Sequence, residues 1–360
     1  MPPPRTAASD LSITGKLLRK AGLAAARRSR LAAGRDRATK RIAPEEFHPQ
    51  PEKRVAKSRV EIIRAAGWDA WPWLLHGFST RTGGVTTAYR PAQRSGELNL
   101  GFTASDTRDN VLENRRRFLE ALGARASMKL VTLKQIHSSS VRRVDRRDAE
   151  AAEPCKGDGL MTSEPGVLLA IQTADCIPVL IADVKKKAVA AFHAGWRGTV
   201  NRIVENGVGK MRVAFRSRPE DLIAAIGPGI GGCCYAVGEE VRSEFASQFA
   251  YAQHLFHEVS DSDPIREKYP MLFLTQRPPG HSNIGPSLHL DLMAANRRQL
   301  LDAGLRPESI TVIGDCTRCQ NNRYFSYRGE QGFTGRMLSV IGIRGSRETS
   351  DKALKPPRRG

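Results

Sequence analysis

The clearest pattern of apolar and polar positions lies at residues 171–199. Two apolar runs, 178–183 and 188–192, flank Lys185, Lys186 and Lys187. Short runs of Val, Ile, Leu and Ala on either side of a polar cluster predict a β-hairpin. Paired strands lie about 5 Å apart, so the hairpin returns His193 to the sheet end that Cys176 leaves, although the two are 17 residues apart in sequence. Further strands are predicted at 130–133, 141–144, 167–172 and 222–226. Helical spacing of Val111, Leu112, Phe118, Leu119 and Leu122 predicts a helix over 106–122, with Asp106 as N-cap and Gly123 as C-cap. Thr199 is placed to cap a helix running to about residue 213, its free N–H groups aimed toward the His193 end. Residues 239–249 and 290–301 are also helical in pattern. The stretch between them is loop-rich, and His254, His257, His281 and His289 in or near it read as surface residues.

Charge and composition change this picture mainly at the ends. The chain has 360 residues and a formal net charge of +20. Residues 1–60 hold 15 Lys/Arg against 5 Asp/Glu, and residues 344–360 hold 6 against 2. The first 58 residues lack a core pattern and read as a disordered basic extension. An organellar transit peptide over residues 1–40 is the alternative. Residues 59–343 read as one catalytic domain, and 344–360 as a basic, disordered tail. Basic ends can bind nucleic acid without sequence readout. A solvated tail is the preferred reading, because Phe47 is the sole aromatic in residues 1–60 and single-strand binders need stacking platforms. No apolar stretch reaches the length that spans a bilayer. The six cysteines, 155, 176, 233, 234, 316 and 319, are too sparse for a disulfide scaffold, so a cytoplasmic protein is expected.

Candidate chemistry centres on Cys176, His193 and His137. Three readings stay open from the residues alone. A Cys-His-His set with an open fourth position is the pattern of a catalytic zinc site. Alternatively, His193 deprotonates Cys176 for attack on a carbonyl, with Asp175 orienting the imidazole or carrying a proton. The third reading is a buried thiol beside a satisfied histidine. Multicopper chemistry is disfavoured, because about ten histidines in His-x-His pairs are needed and the chain has 8 with no such pair. Arg81, beside the turn Gly83-Gly84, is a candidate anion or ribose contact, although on its own a surface salt bridge is the preferred reading. The run Gly227-x-Gly229-x-x-Gly232 opens no helix and reads as a turn allowing close backbone approach, not as a dinucleotide fingerprint. Cys316-x-x-Cys319 resembles half of a zinc site. Its other half is missing in sequence, since Cys233 and Cys234 are adjacent and not spaced by two.

Longer motifs add to this. HGFSTRTGGV (76–85), KQIHS (134–138), GDGLMT (157–162), TADCIPVLIAD (173–183), AFHAGWRGTV (191–200), IGPGIGGCCYAVG (226–238), CTRC (316–319), FSYR (325–328) and GRMLSVIG (335–342) closely resemble, in the same order, the laccase-domain family, historically labelled polyphenol oxidase. The resemblance covers about residues 74–343. It implies an α/β (α+β) fold, a layered sandwich of mixed β-sheets with flanking helices, related to the cysteine hydrolases of the deamidating-toxin type. It implies a monomeric purine nucleoside phosphorylase taking adenosine, inosine, guanosine and methylthioadenosine with phosphate, with adenosine deaminase activity as well. The implied zinc ligands are His137, Cys176 and His193, zinc being preferred to copper, and Arg81 is the implied substrate-side contact. Where the family has FSYRR, Gly329 follows Arg328 here, which removes one expected arginine contact.

Overall fold

Runs such as 167–173 and 337–343 carry apolar side chains at consecutive positions. A strand sends successive side chains to opposite faces, so strands of this kind need apolar cover on both sides. A computed structural model of the chain shows how that cover is supplied. It describes residues 59–90, 96–150, 154–259 and 287–345, all within a compact unit spanning Arg54–Gly360. The expectations for residues 1–58, for the tail beyond 345 and for His281 lie outside the described residues.

In chain order the strands are β1 (Ile62–Ile63), β2 (Leu74–Ser79), β3 (Thr82–Thr86), β4 (Lys129–Val131), β5 (Val141–Arg143), β6 (Gly159–Thr162), β7 (Val167–Thr173), β8 (Ile177–Asp183), β9 (Ala188–Ala194), β10 (Leu222–Ile226), β11 (Phe256–Val259), β12 (Ser287–Leu290), β13 (Ile310–Val312) and β14 (Met337–Ile343). Among the described residues the α-helices are α1 (Arg108–Leu122), α2 (Trp196–Val200), α3 (Ile203–Phe215), α4 (Glu239–Gln248) and α5 (Leu292–Asp302). A five-stranded sheet has the order β1-β2-β14-β7-β4, and a six-stranded sheet the order β13-β10-β8-β9-β6-β5. Both are mixed: β4 lies parallel to β7, and β13 to β10, among antiparallel pairs.

The period-2 alternation sorts the core into layers. Leu169 and Ile171 of β7 and Ile341 and Ile343 of β14 face Leu180, Val189, Ala191 and Ala225 of the other sheet. Leu168, Ala170, Leu338 and Val340 point the other way, onto Phe118 and Leu122 of α1. Val179, Ile181, Ala190 and Phe192 pack under α3, α4 and α5. The result is helix on sheet on sheet on helix, the mixed α+β sandwich the sequence resemblance implies.

The predicted hairpin is β8 and β9. Its turn is closed by Asp183, whose Oδ1 accepts from the backbone of Lys185 and Lys186 at 2.9 and 2.7 Å. Three expectations need correction. Thr107, not Asp106, caps α1, accepting from Asn110 N at 3.2 Å; Asp106 instead accepts from Asn99 and Thr86. The helix expected from Thr199 to about 213 is two helices, broken at Arg202, which adopts φ 57°. Finally, His289 is 5% exposed and not a surface residue: it pairs with His257 across β11–β12 and bonds the Gly232 carbonyl and Ser287.

Burial at His76 has a pH consequence. This β2 residue stacks near Trp68 and accepts from Ala65 N at 3.0 Å through Nε2, which requires the neutral ring. Burial, with the Arg64 charge adding, lowers its pKa to about 4. The unfolded chain therefore takes up this proton near pH 6.5, while the native state resists until about 4. Stability is lost as pH falls through that window, by about 3 kcal/mol from this group. A His76→Gln variant is expected to show a flatter stability curve between pH 6.5 and 4 in chemical denaturation; an unchanged slope would refute the assignment.

Candidate metal centre and its pocket

The β8–β9 register fixes the two ends of the hairpin. Pro178 pairs with His193 and Ile177 with Ala194, so Cys176 is set one residue beyond the paired ladder. His137 arrives from the connection between β4 and β5, in the left-handed conformation with φ 58°. The ligand atoms of His137, Cys176 and His193 all lie within 4.8 Å of one another, and the two imidazoles meet edge-on with centroids 4.9 Å apart. Gly195 sits against them. A Cβ there would come 2.9 Å from Cys176 Sγ and 3.2 Å from His137, so the backbone can pass only as glycine.

Asp158 organises this centre, and nothing in the sequence reading singled it out. It is fully buried at the edge of β6, beside β9. One carboxylate oxygen accepts His193 Nδ1 at 2.9 Å and His137 N at 3.0 Å; the other accepts Ser138 N and Oγ at 2.6 and 2.7 Å. Burial alone would push its carboxyl up, but these donors outweigh burial and hold it at about 2. The same carboxylate thus holds the strained His137 loop and the His193 ring, leaving His193 Nε2 to face Cys176. The signal in the sequence was faint: an Asp in GDGLMT between two glycines looks like a turn residue.

Electrostatics favour a thiolate here. Burial opposes charge on Cys176, yet the His193 charge and hydrogen bonds from both histidines bring its pKa down. Burial likewise opposes charge on His193, and Cys176 and Asp158 raise it. A thiolate flanked by two imidazoles, one backed by a carboxylate, is a borderline-soft donor set matched to zinc or copper.

The centre opens into a cavity of about 660 Å³ lined by Gln135, Tyr235, Tyr327, Trp196 and the arginines 197, 328 and 336. Asp175 borders it, but it does not orient His193; Asp158 has that task. With φ 93°, Asp175 turns its carboxylate onto Thr317 Oγ1 at 2.6 Å, Ser326 Oγ at 2.7 Å and Arg328 N at 2.6 Å. Its oxygens are occupied in tying the β7–β8 turn to the 317–328 loop.

Arg81 does not line this cavity. It is 2% exposed, donates to Glu97 at 2.7 Å, Glu330 at 2.9 Å and the Asn321 carbonyl at 2.6 Å, and stacks on Phe325. The guanidinium is consumed inside the fold, holding the 321–330 loop from behind. Arg81→Lys keeps the charge but not the fork of donors. It is expected to cost about 1–3 kcal/mol of stability, read as a lower denaturant midpoint at unchanged slope. Wild-type stability with lost substrate affinity would return Arg81 to the substrate side.

A mixed two-sheet sandwich with a Cys-His-His centre at one hairpin end defines the class of protein. Residues 75–344 match the family described as multi-copper polyphenol oxidoreductase laccase, and the chain belongs to that family. Its relatives include the purine nucleoside phosphorylase YlmD of Geobacillus stearothermophilus, 34% identical over 77% of this chain and 96% of that protein. A purine nucleoside phosphorylase of Deinococcus radiodurans is 39% identical over 74% of this chain and 88% of its own length. Among solved structures, the hypothetical protein YfiH of Bacillus licheniformis aligns at a TM-score of 0.64 and 29% identity, over 81% of this chain and 98% of that one.

Proposed function

We propose that the protein is a zinc-dependent purine nucleoside phosphorylase acting on inosine, adenosine, guanosine and methylthioadenosine, with a secondary adenosine deaminase activity. The observation that carries this reading is the convergence of His137, Cys176 and His193 on a cavity with both aromatic and cationic walls. A cavity of this size accommodates a nucleoside. Trp196, Tyr235 and Tyr327 offer faces for a purine, and Arg197, Arg328 and Arg336 offer the forked donors that suit phosphate. The relatives named as purine nucleoside phosphorylases support the phosphorolysis part of this reading. Zinc is preferred to copper because His76, His254, His257 and His289, the other histidines among the described residues, take no part in the three-ligand set.

His137, Cys176 and His193 would hold the ion, with Asp158 fixing the His193 tautomer. When bound, the ion supplies Lewis acidity toward phosphate, base or water. In phosphorolysis a phosphate oxygen attacks the ribose C1′, the bond from C1′ to the purine nitrogen breaks, and the base leaves with the electron pair and is protonated. The arginines bind and aim the phosphate. Burial pushes the Tyr235 phenol up, so it stays protonated and serves as a hydrogen-bond donor to the departing base. In deamination, water adds at C6 and ammonia leaves. Asp175 acts by positioning, through the Thr317 and Arg328 contacts.

The test is inosine with phosphate and metal-replete protein. Hypoxanthine and ribose-1-phosphate are expected in equal amounts; neither product from fully loaded protein would defeat the reading. A second reading has support in one feature, the succession Cys176, His193, Asp158, which is also the order of roles in a thiol hydrolase. Chelation separates the two: a hydrolase keeps its activity when stripped of metal, and the phosphorylase loses it.

A further inference from the structure

The half-site Cys316-x-x-Cys319 finds its other half in three dimensions. A parallel bridge between Gly229 and Cys316 lays the 229–235 turn alongside the 315–320 loop. Thr317 N donates to the Gly229 carbonyl at 2.9 Å and Gly229 N to the Asp315 carbonyl at 3.3 Å. The adjacency of Cys233 and Cys234, which fails the usual spacing, does not matter here, because the backbone turns between Gly231 and Tyr235. The four sulfur atoms of Cys233, Cys234, Cys316 and Cys319 all lie within 4.8 Å of one another. Cys319 Sγ is 3.5 Å from Cys233 Sγ and 3.4 Å from Cys234 Sγ. All four cysteines are free.

These separations decide between occupants. A disulfide needs sulfurs about 2 Å apart. An ion bound to four thiolates at about 2.3 Å in a tetrahedron sets neighbouring sulfurs about 3.8 Å apart. An iron–sulfur cluster distributes its thiolates over several irons and spreads them further. The observed set fits one ion. Two further features suit it. Gly231 N donates to Cys316 Sγ at 3.3 Å, a bond that favours the thiolate. A Cβ on Gly231 would lie 3.3 Å from Cys233 Sγ and 3.6 Å from Cys316 Sγ, so glycine keeps the convergence point clear. Cys233 and Cys319 are exposed, which gives an ion a route in.

We infer that Cys233, Cys234, Cys316 and Cys319 form a second metal site, a closed four-thiolate centre for zinc, separate from the His137–Cys176–His193 set. With no open position, its role is structural. It pins together two loops that border the cavity: Ile230 N donates to the Asp175 carbonyl at 2.8 Å, Thr317 Oγ1 donates to the Asp175 carboxylate, and Tyr235 and Arg328 line the cavity walls. The inference does not depend on which reaction the cavity performs.

Metal content of the full chain, expressed with zinc and purified under reducing conditions, tests it. Wild type is expected to hold about two zinc ions per chain, Cys176→Ala about one, and Cys316→Ser/Cys319→Ser about one. Because the double variant can fail to fold, a second measurement uses Cys176→Ala loaded with cobalt(II). Strong thiolate-to-cobalt charge-transfer absorption with tetrahedral visible bands is expected. Cobalt spectra without thiolate bands, a Cys176→Ala protein free of zinc, iron in place of zinc, or a native mass lowered by a disulfide would each overturn the proposal.

Discussion

Cys176→Ala is expected to abolish nucleoside phosphorolysis while leaving the fold intact. The side chain projects from the end of the β8 ladder onto His137 and His193 and contributes little to the core on either side. Ile177 and Val179, which do pack in the core, are untouched. The variant should therefore melt like wild type when both are measured in chelator. The loss is in the site. Removing even an outer partner of a metal ligand costs about 10–100-fold in affinity, so loss of a thiolate ligand should exceed the upper end of that range. The measurements are hypoxanthine release from inosine and phosphate, and zinc bound at the His137–His193 end. Wild-type turnover by Cys176→Ala would remove Cys176 from the ligand set and from the thiol-hydrolase reading together.

The parts of this site that could be read in the sequence are those encoded by local pattern. The hairpin was legible because the apolar runs and lysine turn lie next to one another in the chain, and an antiparallel pair has only a few registers that bury both runs. That placed His193 beside Cys176. Both sheets were harder to assign to layers, because strands such as β7 and β14 are apolar on both faces over most of their length and show no clean alternation to say which face meets which neighbour. The break at Arg202 was hidden for another reason: Ile203, Val204 and Val208 continue a helical spacing, and only the αL turn at Arg202 interrupts it.

What escaped the sequence depends on contacts between distant segments. Arg81 looked like a ligand contact because it stands next to two glycines. Its partners Glu97 and Glu330 come from elsewhere in the chain, and together they bury it. The four cysteines are separated by more than 80 residues into two pairs, and spacing rules built on one local motif do not register such a set. Asp158 is the same case at the centre. Its meaning is fixed by β6 lying against β9, which brings a turn-like aspartate under a histidine 35 residues later.

Asp158→Asn is expected to have the second-largest effect, and by a different route. The carboxylate is acceptor-only, and every donor around it needs an acceptor: the backbone of Ile136, His137 and Ser138, the Ser138 hydroxyl and His193 Nδ1. An amide of the same size turns one oxygen into an NH₂ group, which then faces either Ser138 N–H or His193 Nδ1–H. The buried mismatch and the lost anion should cost about 3–5 kcal/mol of stability. The effect should persist in chelator, since it resides in the loop and not in the ion. With the amide nitrogen on the His193 side, His193 also loses the partner that fixes its tautomer, and His137 loses the bond that holds its φ of 58°. Metal affinity should fall about 10–100-fold, read by competition with a chromophoric chelator at a temperature where the variant is folded. Combining Asp158→Asn with Cys176→Ala separates the two consequences. Measured in chelator, the stability loss should be the same in the double variant as in Asp158→Asn alone, whereas binding at this centre should fall no further than in Cys176→Ala, because the site is already disabled. A stability loss with wild-type metal affinity would reduce Asp158 to a loop anchor and leave the imidazoles to orient themselves.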